Sequence, residues 1–394
     1  MKTSTDRILT THVGSLPRSD EALRLIRAKA TGADFNAAEY EAGMGKIVAQ
    51  SVRRQADVGL DIVNDGEQTK TNFVAYICSR LGGFEFIDPT THPGRPPTRD
   101  ALAFPAVYQD VARLTAYRRK ERPLRLDRTW MRCTGPIKYI GHADLKADIA
   151  WLKAAIKDVP VEEAFMTAIS PSNVELDHRN EYYRSGEEYL TALADAMHEE
   201  YKAIVDAGLI LQIDDPRMAT HYDRTPGATV EECRKFIAVR VEAVNHALRG
   251  IPEDRVRFHT CYSVNIAPRV HDFELRHFVD LMLKVKAQAY SIEAANPRHE
   301  HEWQVFEDVK LADGKILIPG VVSHCVSLVE HPELVAQRIV RFANVVGREN
   351  VIAGVDCGFG TSAVLDEVHP DVAWAKLAAL CEGAKLADKT LWRR

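Results

Sequence analysis

The segment Arg255-Val256-Arg257-Phe258-His259-Thr260-Cys261 has the character of a strand that ends in two potential metal ligands. Side chains alternate along a strand, so His259 and Cys261 are expected to point to the same face. Two later strand-like segments each end in a further potential ligand, Glu293 and Cys357. Imidazole nitrogen, thiolate sulfur and carboxylate oxygen all bind zinc, usually four ligands at a time. These residues are therefore a candidate Zn²⁺ set, with apolar packing of the cysteines and an ion pair of Glu293 as the alternative.

The rest of the chain alternates between strand-like and helical segments, as a parallel α/β fold does. Nine strand candidates begin near residues 8, 60, 130, 164, 209, 255, 290, 316 and 352. Eight strands would close a TIM barrel and leave one as an extra, peripheral strand. A doubly wound open sheet is the competing arrangement, but it would concentrate its ligand groups at one switch point. Because polar groups follow nearly every strand candidate, we predict a single TIM (β/α)8 barrel.

Two helices are marked clearly by the pattern of side chains. One face of the first long helix is predicted to be buried, and it carries Tyr40, Met44, Ile47, Val48, Ser51, Val52 and Gln55. Thr229 and Glu232 have the spacing of a capping box, which predicts the start of a helix that runs to about residue 250.

The whole chain, residues 1–394, is predicted to be one domain, because no linker separates two halves. Residues 70–128 fit the alternation poorly, since they contain several prolines and interspersed aromatic side chains. We predict that this region is an insertion after the second strand. It is expected to be either a lid over one end of the barrel or a plain surface excursion.

Composition argues against several classes of partner. The formal net charge of −5 gives no electrostatic reason to expect a nucleic acid. No uncharged apolar run approaches the roughly 18 residues that a membrane span needs, and the first residues lack the apolar core of a secretory signal. Seven scattered cysteines do not form a disulfide framework. We therefore expect a cytoplasmic protein in which cysteine acts as a metal ligand or a nucleophile.

Six short motifs lie at or near the ends of the predicted strands. They are Thr11-His12-Val13-Gly14-Ser15, Asp65-Gly66-Glu67, Leu211-Gln212-Ile213-Asp214-Asp215-Pro216, His259-Thr260-Cys261, Ser291-Ile292-Glu293-Ala294-Ala295 and Val355-Asp356-Cys357-Gly358. In this order they resemble the catalytic barrel of the cobalamin-independent methionine synthase family. The resemblance implies a zinc ion held by His259, Cys261, Glu293 and Cys357. It also implies a binding site for an amino-acid thiol near Ser15, Glu67 and Asp214.

The implied ligand set suits the transfer of an alkyl group to sulfur better than hydrolysis. Two thiolates and a carboxylate leave zinc electron-rich, whereas a coordinated substrate thiol loses its proton and remains nucleophilic. Glu67 and Asp214 are expected to hold an ammonium group, with structural hydrogen bonds at the barrel end as the alternative. Ser15 offers hydroxyl and backbone contacts. Arg18 is a candidate anion-binding group if the thiol or the donor carries a carboxylate or a sulfonate.

The chain also departs from the long enzymes of this family, which resemble two fused barrels. A chain of 394 residues has room for one barrel, so the use of a polyglutamyl folate stays open. In the family a Tyr-Asp pair and then a catalytic histidine follow the strand that corresponds to Pro319-Gly320-Val321. Here Ser323 replaces the Asp and His324 falls one place early. We take His324 as a candidate catalytic group that protonates a leaving group.

Short single-barrel relatives of this family include methionine-synthase-like proteins and the epoxyalkane:coenzyme M transferases. The segment Val329-Glu330-His331-Pro332-Glu333-Leu334 resembles these short relatives more than the long enzymes. The cluster His299-Glu300-His301-Glu302 looks superficially like a ligand set, but we expect it to be exposed to solvent in a loop or a helix start.

The sequence therefore predicts a zinc-dependent transferase that moves a methyl group to a zinc-activated thiol such as homocysteine. Its expected partners are a small-molecule thiol and an alkyl donor, folate-like or other. Two alternatives stay open, namely a transferase that opens an epoxide and a thiol- or metal-binding barrel without transfer chemistry. The sequence does not name the thiol or the donor, and it leaves a homo-oligomer open.

Overall fold

The computed structural model describes residues 1–32, 34–88, 95–109, 130–262, 264, 266–363 and 368–392. Within these ranges the chain forms a barrel of parallel strands, together with helices that pack against them and a small second sheet. The strands are β1 (Leu9–Thr10), β2 (Ile62–Val63), β3 (Leu81–Phe86), β4 (Met131–Tyr139), β5 (Glu163–Ile169), β6 (Arg179–Asn180), β7 (Ile210–Asp214), β8 (Val256–Thr260), β9 (Ala289–Ile292), β10 (Ile316–Val322) and β11 (Ile352–Val355).

Eight of these strands form one parallel sheet in the order β1-β11-β10-β9-β8-β7-β5-β2. The two ends of this order meet, because Thr11 forms a parallel bridge with Ile62 and the Asp61 amide donates to the Thr10 carbonyl at 3.2 Å. The sheet therefore closes into a TIM barrel, which confirms the predicted fold.

The ninth strand candidate, near residue 130, is β4, and it lies outside the barrel. It pairs antiparallel with β3 and parallel with β6 in a separate three-stranded sheet. All described elements from the 3₁₀ turn at Ala75–Ser79 through β4 and the helix that follows it are inserted between β2 and β5. Part of the predicted insertion, residues 89–94 and 110–128, lies outside the described residues.

Helices follow most strands and supply the outer layer. They are α1 (Asp20–Thr31), α2 (Ala37–Asp57), α3 (Arg99–Ala103), α4 (Pro105–Gln109), α5 (His142–Ile156), α6 (Pro171–Asp177), α7 (Gly186–Asp206), α8 (Pro216–Arg224), α9 (Val230–Ala247), α10 (Val279–Met282), α11 (Val305–Asp308), α12 (Pro332–Val346) and α13 (Pro370–Leu391). The buried side chains of α2 are the predicted set, and α9 begins with the predicted capping box of Thr229 and Glu232. Among the described helices, none has the length and the apolar character to cross a membrane.

Apolar side chains fill the barrel interior, and every barrel strand except β8 contributes at least one of them. The cluster consists of Leu9, Ile62, Phe165, Ile210, Ala289, Ile316, Ile318 and Ile352. One cation is buried with them, since the Arg257 guanidinium lies 4.0 Å from the Phe165 ring centre and donates to the His12 carbonyl at 2.7 Å. Burial lowers the pKa of Arg257 to about 9, although Asp214 opposes that change.

The described part of the insertion packs on helix α8, which follows β7, and on the loop that follows β8. Asp100 at the start of α3 is buried and accepts hydrogen bonds from the Arg269 and Val270 amides at 2.7 and 2.9 Å. Arg99 donates to the Tyr222 carbonyl at 2.7 Å. These contacts bring the insertion to the carboxyl ends of the barrel strands, which is where active sites of TIM barrels lie.

Candidate metal and substrate site

A cavity of about 440 Å³ opens at the carboxyl ends of the barrel strands. Six of the predicted site residues line it, and they come from the loops and ends of β1, β2, β7, β8 and β11. They are Ser15, Glu67, Asp214, His259, Cys261 and Cys357. The fold therefore brings together residues that are up to 342 positions apart in the chain, from Ser15 to Cys357.

His259, Cys261 and Cys357 form a compact group of potential metal ligands. All three are buried, and their ligand atoms lie within 4.8 Å of one another. The two sulfur atoms are 3.3 Å apart, which is too far for a disulfide bond. The Nε2 atom of His259 is buried and has no hydrogen-bond partner among the described residues, whereas Nδ1 lies 3.1 Å from the Ser291 hydroxyl.

The electrostatics of this group favour a bound cation. The hydrogen bond to Cys261 and burial raise the pKa of the Cys357 thiol well above its ordinary value. Two bare thiolates at this distance would repel each other, and a cation between them would let both ionise. The orphaned Nε2 of His259 and the two adjacent sulfurs match the nitrogen and sulfur donors that zinc prefers.

Glu293 lies beside this group but is not part of it. Its carboxylate accepts hydrogen bonds from the Tyr262 amide at 2.7 Å, from Asn296 Nδ2 at 2.6 Å and from the Arg269 guanidinium at 3.1 Å. Burial and the neighbouring Cys261 raise its pKa, and Arg269 opposes that rise. The carboxylate that the sequence predicted as a fourth ligand is thus buried and accepts three hydrogen bonds.

A charged network continues behind Glu293. The His299 ring stacks on Tyr262 with a centroid distance of 3.7 Å, and its nitrogens contact Glu302 at 2.7 Å and Asp272 at 2.9 Å. The expectation that the cluster at 299–302 is exposed was therefore wrong for His299 and Glu302, which are buried. The local sequence does not reveal this burial, because one partner of His299, Asp272, comes from the loop after β8.

Ser15 lies against Cys357's neighbour, Gly358. A β-carbon at position 358 would come within 1.9 Å of the Ser15 hydroxyl oxygen, so only glycine allows this approach. The Phe359 amide also donates to the Ser15 carbonyl at 2.9 Å. The loop after β11 therefore fixes Ser15 on the cavity wall.

The backbone of Glu67 has a φ of +53°, a left-handed conformation that non-glycine residues rarely adopt. Thr167 donates to its carboxylate at 2.5 Å, and the Lys70 ammonium lies 3.3 Å away. Burial opposes ionisation of Glu67, but Lys70 and Thr167 outweigh it and lower the pKa. Glu67 is therefore an ionised carboxylate on the cavity wall.

Asp214 is the second carboxylate that lines the cavity, at the end of β7. Gln212 donates to it at 2.7 Å. Burial and the negative charge of Glu67 raise the pKa of Asp214 to about 7, although His259 and Lys70 oppose the rise. Two neighbouring carboxylates in one buried place favour a cationic ligand group, since an ammonium would stabilise both in the ionised form.

Arg18 and His324, also predicted as site residues, do not line the cavity. The buried Arg18 guanidinium donates to the Gly360 carbonyl at 2.5 Å and to the Glu67 carbonyl at 2.7 Å, so it joins the loops after β11 and β2. His324 follows β10 and is fully buried. The side chain of Arg18 thus holds the strained backbone of Glu67 in place.

The cavity is also lined by four charged residues that the sequence analysis did not single out. They are Arg95, Asp177, Arg217 and Arg224. Trp130 lines the same region, and the Arg95 guanidinium lies 5.0 Å from its ring centre. The sequence did offer a signal for Arg217, because this residue follows Asp214 closely and lies in the first turn of α8, the helix after β7. The others come from the inserted region and from the ends of short helices, where no periodic pattern points to a site.

Comparison with known proteins gives a consistent result. A family model described as the catalytic domain of cobalamin-independent synthase matches residues 8–137 and 163–379. The methionine synthase of Thermococcus kodakarensis is 25% identical over 392 residues, which cover 98% of this chain and 94% of that protein. The 5-methyltetrahydropteroyltriglutamate–homocysteine methyltransferase of Thermotoga petrophila is 23% identical over 361 residues, which cover 89% of this chain but 41% of that longer protein.

Two solved structures share the fold. The B12-independent methionine synthase from Shewanella sp. W3-18-1, in complex with selenomethionine, matches with a TM-score of 0.70 and 19% identity, covering 98% of this chain and all of that one. A second protein, described as a putative vitamin-B12-independent methionine synthase from Listeria monocytogenes, matches with a TM-score of 0.65 and 19% identity, covering 96% of this chain and 98% of that one.

Proposed function

Because this chain belongs to the cobalamin-independent methionine synthase family of methyltransferases, we propose that it moves a methyl group to a zinc-activated thiol such as homocysteine. One observation carries the proposal. The buried nitrogen of His259 and the sulfurs of Cys261 and Cys357 converge in the same cavity as the paired carboxylates Glu67 and Asp214. A thiol that carries an amino group could therefore present its sulfur and its ammonium to complementary groups at once.

His259, Cys261 and Cys357 would hold the zinc ion, and Glu293 is the proposed fourth ligand. When bound, zinc would lower the pKa of a coordinated thiol and so supply a nucleophilic thiolate at neutral pH. The Glu293 carboxylate accepts three hydrogen bonds and lies outside the compact ligand group, so it would have to turn toward the other three ligands for this role. Its adjacency to Cys261 supports the assignment, since the Tyr262 amide that binds Glu293 belongs to the residue after Cys261.

Glu67, Asp214 and Ser15 would orient the thiol. The two carboxylates would bind its ammonium group, and Ser15 would contact its carboxylate. In the transfer, the thiol sulfur bonds to the methyl carbon while the bond between that carbon and the donor breaks. The donor leaves with that electron pair and takes up a proton. His324 is the proposed source of this proton, and because it does not line the cavity, direct transfer would need a rearrangement of the segment after β10.

The experiment that tests this proposal combines metal content with turnover. We expect purified protein to hold about one equivalent of zinc, and to form methionine from homocysteine with a methyl donor such as methyltetrahydrofolate or methylcobalamin. Cys261→Ser and Cys357→Ser should lose most of the zinc and the activity. The matched control is Cys233→Ser, because Cys233 is also buried and free but lies outside the cavity. Less than half an equivalent of zinc, unchanged by Cys261→Ser, would count against the proposal.

The same residues could serve an epoxide as the electrophile. Methyl transfer is preferred because the similar proteins are named methionine synthases. Incubation of the protein with coenzyme M and a short epoxide, in parallel with homocysteine and a methyl donor, separates the two reactions. Binding of zinc and thiol with no turnover in either arm would instead indicate a binding protein.

We also propose a cytoplasmic setting for this chemistry. None of the seven cysteines forms a disulfide bond, and a reducing compartment would keep them as thiols.

A further inference from the structure

A second group of charges lines the cavity, apart from the proposed zinc and thiol residues. It consists of Arg95, Arg217, Arg224 and Asp177. Arg95 Nη2 lies 2.5 Å from Asp177 Oδ1, and Arg217 Nη2 bonds to the same oxygen. One carboxylate oxygen is thus shared by two guanidinium groups. The Nε atom of the third, Arg224, is buried and has no hydrogen-bond partner among the described residues.

Positive charge exceeds negative charge in this group. Asp177 is its one carboxylate on the cavity wall, as far as the described residues show. Asp223 also acts on Arg224, but it does not line the cavity and it accepts a hydrogen bond from the Asp100 amide at 2.9 Å. Burial and repulsion from Arg217 and Arg95 lower the pKa of Arg224 to about 9. Even when Asp223 is counted, three guanidinium groups are balanced by only two carboxylates among the described residues.

We infer that Arg95, Arg217 and Arg224 form a binding site for an oxyanion, and that this oxyanion is a carboxylate, sulfonate or phosphate group of the alkyl donor. Guanidinium groups present paired N–H donors that match the oxygen atoms of such anions. An anion here would neutralise the excess charge and could supply an acceptor for Arg224. All three arginines line the cavity, so a ligand in the cavity can reach them.

The cavity has two oppositely charged regions, which argues for two different ligand groups. Glu67 and Asp214 place carboxylates in one region, where the Lys70 ammonium 3.3 Å from Glu67 offsets part of their charge, and the three arginines make the other region positive. A volume of about 440 Å³ lies within the range of roughly 300–1,000 Å³ that is usual for cavities with drug-sized ligands. There is therefore room for a donor besides a small thiol.

The choice of the donor rather than the thiol rests on the proposed function. In that proposal Glu67, Asp214 and Ser15 already account for the ammonium and the carboxylate of an amino-acid thiol. The three arginines are then available to bind the alkyl donor, which is the other reactant. The oxyanion site itself does not depend on zinc or on transfer, so it can be tested separately.

The first experiment measures oxyanion binding to the full-length protein through the fluorescence of Trp130, which stacks near Arg95. Sulfate and inorganic phosphate are titrated at constant ionic strength against chloride. We expect saturable binding in the wild type and in Cys357→Ser, which lacks a proposed zinc ligand. Arg217→Gln and Arg224→Gln should each weaken binding about tenfold or more, because each removes a charged hydrogen-bond donor. Trp130→Phe should abolish the signal.

The matched control is Arg249→Gln, since Arg249 is a surface arginine that pairs with Asp195 at 3.0 Å. It should bind the oxyanions as the wild type does. Circular dichroism of each variant identifies any that fails to fold, in which case Arg95→Gln replaces it. No saturable binding in the wild type, or equal binding in the arginine variants and the control, would overturn the oxyanion site.

A second experiment assigns the oxyanion to the donor. Calorimetric binding of 2-mercaptoethanol and 2-mercaptoethanesulfonate to the zinc-loaded protein is compared between the wild type and Arg217→Gln. We expect the ratio of the two affinities to stay the same. If Arg217→Gln loses affinity for 2-mercaptoethanesulfonate alone, the arginines bind the thiol substrate and the donor assignment is overturned. If neither thiol binds while sulfate does, the proposed function has failed, and with it the donor assignment, but the oxyanion site has not.

Discussion

The sulfur atoms of Cys261 and Cys357 lie 3.3 Å apart, although 96 positions separate the two residues in the chain. One follows β8 and the other follows β11, and two further strands lie between these in the barrel. The two loops therefore turn toward the barrel axis to bring the sulfurs together. This convergence at the carboxyl ends of the strands connects the fold to the proposed chemistry.

The contact between Ser15 and Gly358 predicts a selective loss of thiol binding. In Gly358→Ala the new β-carbon would collide with the Ser15 hydroxyl, so the loop after β1 must move. We expect the affinity for homocysteine to fall about tenfold or more, whereas zinc content stays near one equivalent. Calorimetry and metal analysis on the same sample measure both. Gly186→Ala is the control, because no atom lies within 4 Å of the added carbon. Unchanged thiol affinity in Gly358→Ala would contradict the role of Ser15.

Glu67 is expected to recognise the amino group of the thiol. Glu67→Gln keeps the shape of the side chain but removes its charge, so the KM for homocysteine should rise about tenfold or more. The KM for 4-mercaptobutyrate, which has no amino group, should change little. Steady-state kinetics with both thiols give the comparison. An equal rise for the two thiols would indicate a structural role for Glu67 instead.

Arg18 is predicted to matter for stability more than for anion binding. Its guanidinium holds the carbonyls of Glu67 and Gly360, and both hydrogen bonds are buried. Arg18→Met should lower the free energy of unfolding by about 3 kcal/mol, since hydrogen bonds to charged groups contribute about 1.5–3 kcal/mol each. Urea denaturation measures the change. The exposed Arg53→Met serves as the control, with an expected change within about 0.5 kcal/mol. A loss in Arg18→Met no larger than in this control would contradict the assignment.

The barrel could be predicted because its signals are local and repeat along the chain. The seven buried residues of α2 follow helical spacing, and strand candidates at eight of nine positions lie in the barrel. The candidate ligands could be found because each stands at the end of a strand, where parallel strands collect side chains. The peripheral position of β4 could not be read in advance, since a strand pattern does not reveal its pairing partners.

The parts of the site that were missed depend on contacts between distant loops. The burial of His299 follows from Asp272 and Tyr262, which belong to the loop after β8. The charge around Arg217 depends on Asp177 from another helix and on the inserted region. Polar residues of this kind look like solvent-exposed residues in sequence, because their partners are set only by the fold.

His299 is predicted to make stability depend on pH. Burial opposes its protonation, but hydrogen bonds with Asp272 and Glu302 outweigh burial and raise the pKa from 6.5 to about 9. The stabilisation is therefore fully present below about pH 6.5 and is lost as the pH rises through about 9. A difference of this size corresponds to about 3 kcal/mol.

The measurement is urea denaturation of the wild type and His299→Gln at a series of pH values. The free energy of unfolding of the wild type should fall by up to about 3 kcal/mol between about pH 6 and 9.5, and the variant should lose most of that slope. Parallel curves for the two proteins would show that His299 is not the group responsible.

The most direct measurement of the central claim is X-ray absorption at the zinc edge of the purified protein. We expect a four-ligand shell with two sulfur atoms at about 2.3 Å and two nitrogen or oxygen atoms at about 2.0–2.2 Å, as His259, Cys261, Glu293 and Cys357 would provide. Homocysteine should then increase the number of sulfur ligands. A zinc ligand shell without sulfur, or one that homocysteine leaves unchanged, would contradict the proposal that zinc binds the two cysteines and activates the thiol.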